Sequence, residues 1–96
     1  FTAVMYPDDF TAIAAYRDLA AAGLQVGKDI SVTGFDGVSI GRMVFPQLAT
    51  IRQNAAMIGE EAAQILLSLI EGKPVSQSLL QLDTELLTGD SVCKIG

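Results

Sequence analysis

Short apolar runs and one helical stripe make up the first third of the chain. Residues 1–6 are mostly apolar, and the run Asp29-Ile30-Ser31-Val32-Thr33-Gly34-Phe35-Asp36 is rich in strand-forming residues. Gly37 follows this second run and permits a turn. Between the runs, residues from about Asp9 to Ala22 show the helical period, and Gly23 stands where helices end. The pattern predicts a buried strand, a helix and a second buried strand.

The rest of the chain predicts a second long helix and further extended segments. Residues 37–45 form a turn region with one short helical turn, and residues 49–53 are extended. Residues 54–70 are the clearest helix, apolar over about half its surface and ended by Gly72 and Pro74. Apolar and polar residues alternate over 80–87, which predicts a half-buried strand. Residues 92–95 are predicted to form a short terminal strand.

Two carboxylates follow the two strands of the first third. A strand, a helix and a strand of these lengths predict a βαβ unit with parallel strands and a right-handed crossover. Asp8 follows the first strand and Asp36 follows the second. Because parallel strands end at one edge of the sheet, where α/β sheets bind ligands, both acids are expected at the same crevice. The alternative roles are a helix cap for Asp8, and a turn residue or cap for Asp36.

The first helix has two apolar faces. Small and apolar residues, with Ala12 and Ala15 among them, form a stripe suited to packing on a sheet. Phe10, Ile13 and Ala14 lie on the opposite side, with Arg17 after them. Because a helix covering a sheet needs only one apolar face, the second predicts either scattered surface hydrophobes or a contact with another element or subunit.

Composition excludes several classes of function. The net charge of −5 predicts that this segment repels nucleic acid, so a DNA contact requires another part of the protein. With no His and the single Cys93, ordinary zinc sites and Ser-His or Cys-His pairs cannot be built from these residues alone. No apolar run approaches the roughly 18 residues of a spanning helix. No cofactor is predicted, and the start at Phe1, inside a predicted strand, suggests a piece of a longer protein.

Five stretches, in a constant order and spacing, resemble one known family. They are Tyr6-Pro7-Asp8-Asp9, Ala22-Gly23-Leu24-Gln25-Val26, Asp29 to Asp36, Pro46 to Gln53, and Met57-Ile58-Gly59. Together they resemble the C-terminal part of the effector-binding domain of the lactose-repressor/galactose-repressor (LacI/GalR) family of bacterial transcription regulators. The resemblance covers nearly all of the chain.

The resemblance implies a partial α/β fold with a parallel sheet in three layers, like that of periplasmic binding proteins. In that fold two subdomains close on a ligand, and the chain crosses between them. Residues 1–48 would belong to the C-terminal subdomain. Residues 49–79 would supply a crossing segment and a helix of the N-terminal subdomain, and residues 80–96 would cross back and end in the terminal strand.

The resemblance also implies a function in effector binding. Asp36 would accept hydrogen bonds from the hydroxyls of a small effector, a sugar or sugar derivative. Asp8 stands where the family usually has Asn, and a carboxylate accepts but does not donate unless protonated. Asp8 is therefore expected to contact the effector, but this departure from the family leaves open which effector binds. Gly37 also departs from the family, because a second polar residue is usual there.

The partners implied are a second copy of the chain and operator DNA. The homodimer would form through Phe10, Ile13 and Arg17 of the first helix and through Val44 and Phe45. Operator DNA would bind a separate N-terminal domain in the cytoplasm, and no membrane contact is implied. A periplasmic sugar-binding protein of a transporter is the alternative. An α/β enzyme with paired carboxylates is a weaker one, since no other catalytic constellation accompanies the acids.

Overall fold

The computed structural model describes residues 1–75 and 80–95. Their elements, in chain order, are β1 (Ala3–Met5), α1 (Asp9–Ala21), β2 (Ser31–Thr33), α2 (Ile40–Met43), β3 (Thr50–Arg52), α3 (Ala55–Ile70) and β4 (Glu85–Leu87). The chain divides into two units. The first unit comprises Phe1–Arg52 with Glu85–Gly96, and the second comprises Gln53–Thr84. The assignment of residues 1–48, 49–79 and 80–96 to family subdomains stays a prediction.

The predicted βαβ unit is confirmed. β1 and β2 pair in parallel with Val4 opposite Val32, and α1 connects them. Beyond β2, parallel bridges join Thr33 to Ala49 and Asp36 to Arg52, so the end of β2 runs beside β3. β3 in turn pairs antiparallel with β4. The first unit therefore carries a continuous series of paired segments, in the order β1, β2, β3 and β4.

The core of the first unit lies between α1 and the paired strands. Ala12 and Ala15 of α1 are buried, as the small-residue stripe predicted. They meet a cluster of buried aliphatic side chains from the strands and loops, which are Val26, Ile30, Val32 and Leu48. Gly23 follows the helix with φ +81°, the left-handed conformation that commonly ends helices.

The prediction that β1 is buried is wrong. Ala3 and Met5 are exposed, and Val4 is half-buried. Within the described residues β2 is the strand paired with β1, so apolar side chains of β1 lie at an edge. Burial of a strand depends on what packs beside it, which an apolar run cannot show.

The last residues also depart from the predicted pattern. The strand predicted over 80–87 is limited to β4, and residues 92–95 form no strand. Instead, the amide of Cys93 donates to the Ser31 hydroxyl over 2.9 Å, so a side chain takes the place of a backbone partner. The segment is still held to β2, because the amide of Val32 donates to the carbonyl of Ser91 over 2.9 Å.

In the second unit α3 is capped but uncovered. The Asn54 carboxamide oxygen accepts from the amide of Met57 over 3.1 Å and caps the helix. None of the residues of α3 is buried among the described residues, and Ile70 is 72% exposed. The described part of the chain therefore does not cover the apolar face that the sequence predicts for α3.

Candidate functional site

Asp8 caps α1. Its backbone is extended, with φ −154°, and its carboxylate accepts from the amide of Thr11 over 2.7 Å. The hydrogen bonds from the Thr11 amide and then from the Thr11 side chain hold the pKa of Asp8 below its ordinary value of 3.8. Asp8 remains partly exposed. The alternative role foreseen for Asp8 is thus confirmed, and its contact with an effector stays a prediction.

Asp36 lies at the end of β2 and beside the start of α1. Its amide donates to the carbonyl of Ile51 over 2.9 Å, which continues the pairing with β3. The amide of Asp9 donates to the carbonyl of Phe35 over 3.0 Å. This bond brings the turn after β1 against the turn after β2, so Asp8 and Asp36 lie at the same edge of the sheet, as predicted.

The backbone at Asp36 adopts an unfavourable conformation. Its φ is +120°, in a region where a side chain is rarely tolerated, and Gly37 follows with φ +74°. A Cβ at Gly37 would lie 2.5 Å from the Cα of Arg52, so the turn passes directly against β3. Strained backbone persists only where surrounding contacts hold it, and such residues cluster at ligand sites.

Asp9 lies under this turn and is fully buried. One carboxylate oxygen accepts from the Thr50 hydroxyl over 2.5 Å, and the other accepts from the amide of Val38 over 2.8 Å. Of the two consecutive acids, Asp8 therefore caps the helix and Asp9 supports the loop. The complete burial of Asp9 had no signal in the sequence pattern.

Arg52 and Glu85 add charged groups to the same region. They face each other across β3 and β4, their side chains form an ion pair, and both are largely exposed. Arg52 is also the residue bridged to Asp36. The sequence did not single out Glu85, which is one polar position in the alternating run over 80–87. The edge thus combines carboxylate acceptors with a guanidinium donor.

The predicted dimer surface is only partly exposed. Phe10 is 63% and Phe45 is 92% exposed, and Arg17 is exposed. Ile13 and Val44 are half-buried and pack against the core, so they are less exposed than Phe10 and Phe45. Ile13 is half-buried because it follows the buried Ala12 by one residue, about 100° around the helix, and so lies at the margin of the buried face. Their assignment to a dimer interface stays a prediction.

Other features of the described residues do not provide a competing site. A cleft of about 710 Å³ lies in the second unit, between α3 and residues 80–84, and includes neither Asp8 nor Asp36. Ile58, Ala62 and Ile65 line it, so it is the uncovered stripe of α3. Within residues 1–75 and 80–95, no cluster of three potential metal ligands occurs. None of the helices there has both the length and the apolar character to cross a bilayer.

A βαβ unit with two acids at the carboxyl edge of its sheet has the geometry at which α/β sheets commonly bind ligands. Residues 2–92 match the family described as the periplasmic binding protein-like domain. The chain belongs to this family, in the branch of LacI-type effector-binding domains. The expected fold class is thereby confirmed.

Relatives and solved structures agree with this assignment. The HTH-type transcriptional repressor PurR of Aliivibrio salmonicida (strain LFI1238) is 33% identical over 94 residues, which are 98% of this chain and 28% of that protein. The Lac repressor dimer bound to operator and the anti-inducer ONPF superposes with a TM-score of 0.88 at 32% identity, covering 97% of this chain and 32% of that one.

The chain is also similar in structure to a regulator that was solved with a bound sugar. The transcriptional regulator CelR in complex with cellobiose gives a TM-score of 0.87 at 30% identity, covering 94% of this chain and 28% of that one. The chain thus spans less than a third of the length of each of these three proteins.

Proposed function

We propose that the chain forms part of an effector-binding domain that couples a small polar ligand, a sugar or sugar derivative, to operator binding by a separate head domain. The observation that carries the proposal is the joining of the two turns. The Asp9 amide bonds to the Phe35 carbonyl and brings Asp8 and Asp36 to one edge of the sheet, in a chain of this family.

The chemistry of this edge suits a polyol. A carboxylate accepts from two neighbouring hydroxyls, and bonds to a charged acceptor are stronger than bonds between neutral groups. Asp36 is the primary acceptor in the proposal. Asp8 already accepts from Thr11, and a carboxylate has lone pairs left for a hydroxyl. The Arg52 guanidinium offers donors beside them.

The proposed partners follow from the surfaces and from the relatives. A second copy of the protein would pack on Phe10 and Phe45, which leave large apolar areas exposed on the first unit. Operator DNA would bind elsewhere, because this segment has a net charge of −5. The protein would act in the cytoplasm and catalyse no reaction, as a transcription regulator and not as a transporter component.

A thermal-shift screen of the intact protein tests the ligand class. The panel contains glucose, galactose, ribose, lactose, cellobiose and galacturonate, with nucleobases and amino acids as non-sugar probes. At a hundredfold excess over Kd a ligand stabilises the folded state by about 2.7 kcal/mol. For a domain of 150–250 residues this raises Tm by about 5–10 °C. A shift given by a nucleobase or amino acid alone would contradict the sugar class.

Binding of labelled promoter DNA from upstream of the protein's own gene tests the coupling. The apparent Kd for this DNA is measured with and without the panel sugar that gives the largest thermal shift. The proposal expects the sugar to change the DNA affinity by at least about fivefold, the lower end of typical coupling energies. An unchanged affinity at saturating sugar would show that the domain does not control DNA binding.

A further inference from the structure

The buried carboxylate of Asp9 connects three separate segments of the first unit. Its backbone amide donates to Phe35 and its side chain accepts from Val38 and from Thr50, over 3.0, 2.8 and 2.5 Å. Phe35 and Val38 flank the turn that contains Asp36, and Thr50 begins β3. One residue at the start of α1 therefore holds both ends of this turn and the adjacent strand.

The buried carboxylate of Asp9 depends on its hydrogen bonds for stabilisation. Asp9 is fully buried, and neither ion pair of the described residues includes it. Its position in the first turn of α1 places the carboxylate near the positive end of the helix dipole. Hydrogen bonds supply the remaining stabilisation, and both carboxylate oxygens have a donor. Loss of either donor would leave a buried charged group partly unsatisfied, which is costly.

The segment that Asp9 holds is the one least able to keep its conformation alone. Asp36 and Gly37 have φ values of +120° and +74°. A non-glycine residue in such a conformation relaxes unless its neighbours fix it. The bonds from Asp9 fall on the residues immediately before and two after Asp36. Release of Val38 would therefore free the backbone that sets the direction of the Asp36 side chain.

We propose that Asp9 is a positioning residue: through Val38 and Thr50 it fixes the turn so that the Asp36 carboxylate meets the ligand without rearrangement. This role rests on the proposed function, in which Asp36 accepts from a sugar. Asp9 itself is buried beneath the turn and does not touch the ligand. Its contribution to affinity is preorganisation, since ordering a loop on binding consumes part of the binding energy.

Four variants of the intact protein test this role. Asp9→Asn keeps the shape of the side chain but removes its charge. Thr50→Val removes one donor, and Thr50→Ser restores it. Ser91→Ala is the matched control, because the Ser91 hydroxyl is also fully buried and bonded, to Val32 and Ala49, but contacts neither Asp9 nor the turn.

Affinity for the panel sugar with the largest thermal shift is measured by calorimetry, with Tm beside it. We expect Asp9→Asn and Thr50→Val each to weaken sugar binding by up to about tenfold, because the turn must then be ordered when the sugar binds. The double variant should lose less affinity than the product of the two single losses, because both substitutions act on the hydrogen bond between Thr50 and Asp9. Thr50→Ser should bind like the parent. Ser91→Ala should lower Tm and leave the sugar affinity unchanged.

Amide hydrogen exchange at Val38 and Asp36 provides a readout that needs no ligand. Both amides should exchange faster in Thr50→Val than in Thr50→Ser or Ser91→Ala. Should Asp9→Asn fail to fold, the Thr50 pair carries the test. Parental sugar affinity and parental exchange in Thr50→Val would overturn the positioning role. Equal losses of affinity in Ser91→Ala would also overturn it, by showing that affinity follows stability.

The two proposals fail in different ways. If the parent binds none of the panel sugars, the proposed function fails while the exchange experiment still reports on the turn. If the parent binds a sugar and the Asp9 and Thr50 variants bind it equally well, only the positioning role fails.

Discussion

Two substitutions at Asp36 separate the role of its carboxylate from the role of its backbone. Asp36→Ala and Asp36→Gly both remove the acceptor, so both should lose the hydrogen bonds to a sugar. Bonds to a charged group contribute roughly 1.5–3 kcal/mol each. The expected loss of affinity is therefore about tenfold to hundredfold for either variant.

The two variants should differ in stability. At φ +120° a side chain costs of order 1–3 kcal/mol, and glycine does not incur this cost. Glycine loses more conformational entropy on folding than alanine does, and this loss offsets roughly 0.5–1 kcal/mol of the gain in stability. The Asp36→Gly variant should thus be more stable than Asp36→Ala by up to about 2.5 kcal/mol, while the two bind sugar equally weakly.

Urea unfolding and calorimetry on both variants of the intact protein measure these quantities. A lower free energy of unfolding in Asp36→Gly than in Asp36→Ala would show that the backbone at this position is not strained. Parental affinity in both variants would show that Asp36 is only a turn residue. Under the proposed function operator binding should survive in each variant, because the net charge of −5 disfavours a DNA contact by this segment.

Two further predictions concern Phe10 and Asp8. Phe10→Asp should weaken self-association in sedimentation at micromolar concentration, because a charge would be buried without a partner, whereas Thr11→Asp on the flank of α1 should not; unchanged sedimentation of Phe10→Asp would exclude this interface. Asp8, whose pKa is lowered in the folded state by the Thr11 bonds, should contribute its full stability above pH 3.8 and lose it as the pH falls further. The free energy of unfolding of the parent relative to Asp8→Asn, measured from about pH 5 to about pH 3, should therefore decline, and a constant difference would contradict the lowered pKa of Asp8.

Local signals predicted the helices and their ends well. Gly23 and Gly72 end α1 and α3 with positive φ, and Asp8 caps α1. These signals act within one turn of the chain, so the sequence contains all the groups involved. The parallel βαβ order follows from connectivity, which is why the common edge of Asp8 and Asp36 was also predictable.

Features set by distant contacts were not predictable. The φ of Asp36 depends on pairing with Ile51, and the burial of Asp9 depends on Thr50, which lies far along the chain. Two adjacent acids before a helix do not indicate which of them caps it. The exposure of β1 likewise depends on its neighbours, and the loss of the strand over 92–95 depends on the Ser31 hydroxyl.

The buried hydroxyl of Ser91 has a consequence for the order of folding during synthesis. It donates to the Val32 carbonyl and accepts from the Ala49 amide, so Ser91 joins two segments that are made much earlier. Residues 53–84, which belong to the other unit, are translated in between. At about 5–20 residues per second, the first unit therefore waits on the order of seconds on the ribosome for these two hydrogen bonds. During that interval the Val32 carbonyl and the Ala49 amide lack the Ser91 hydroxyl as their partner.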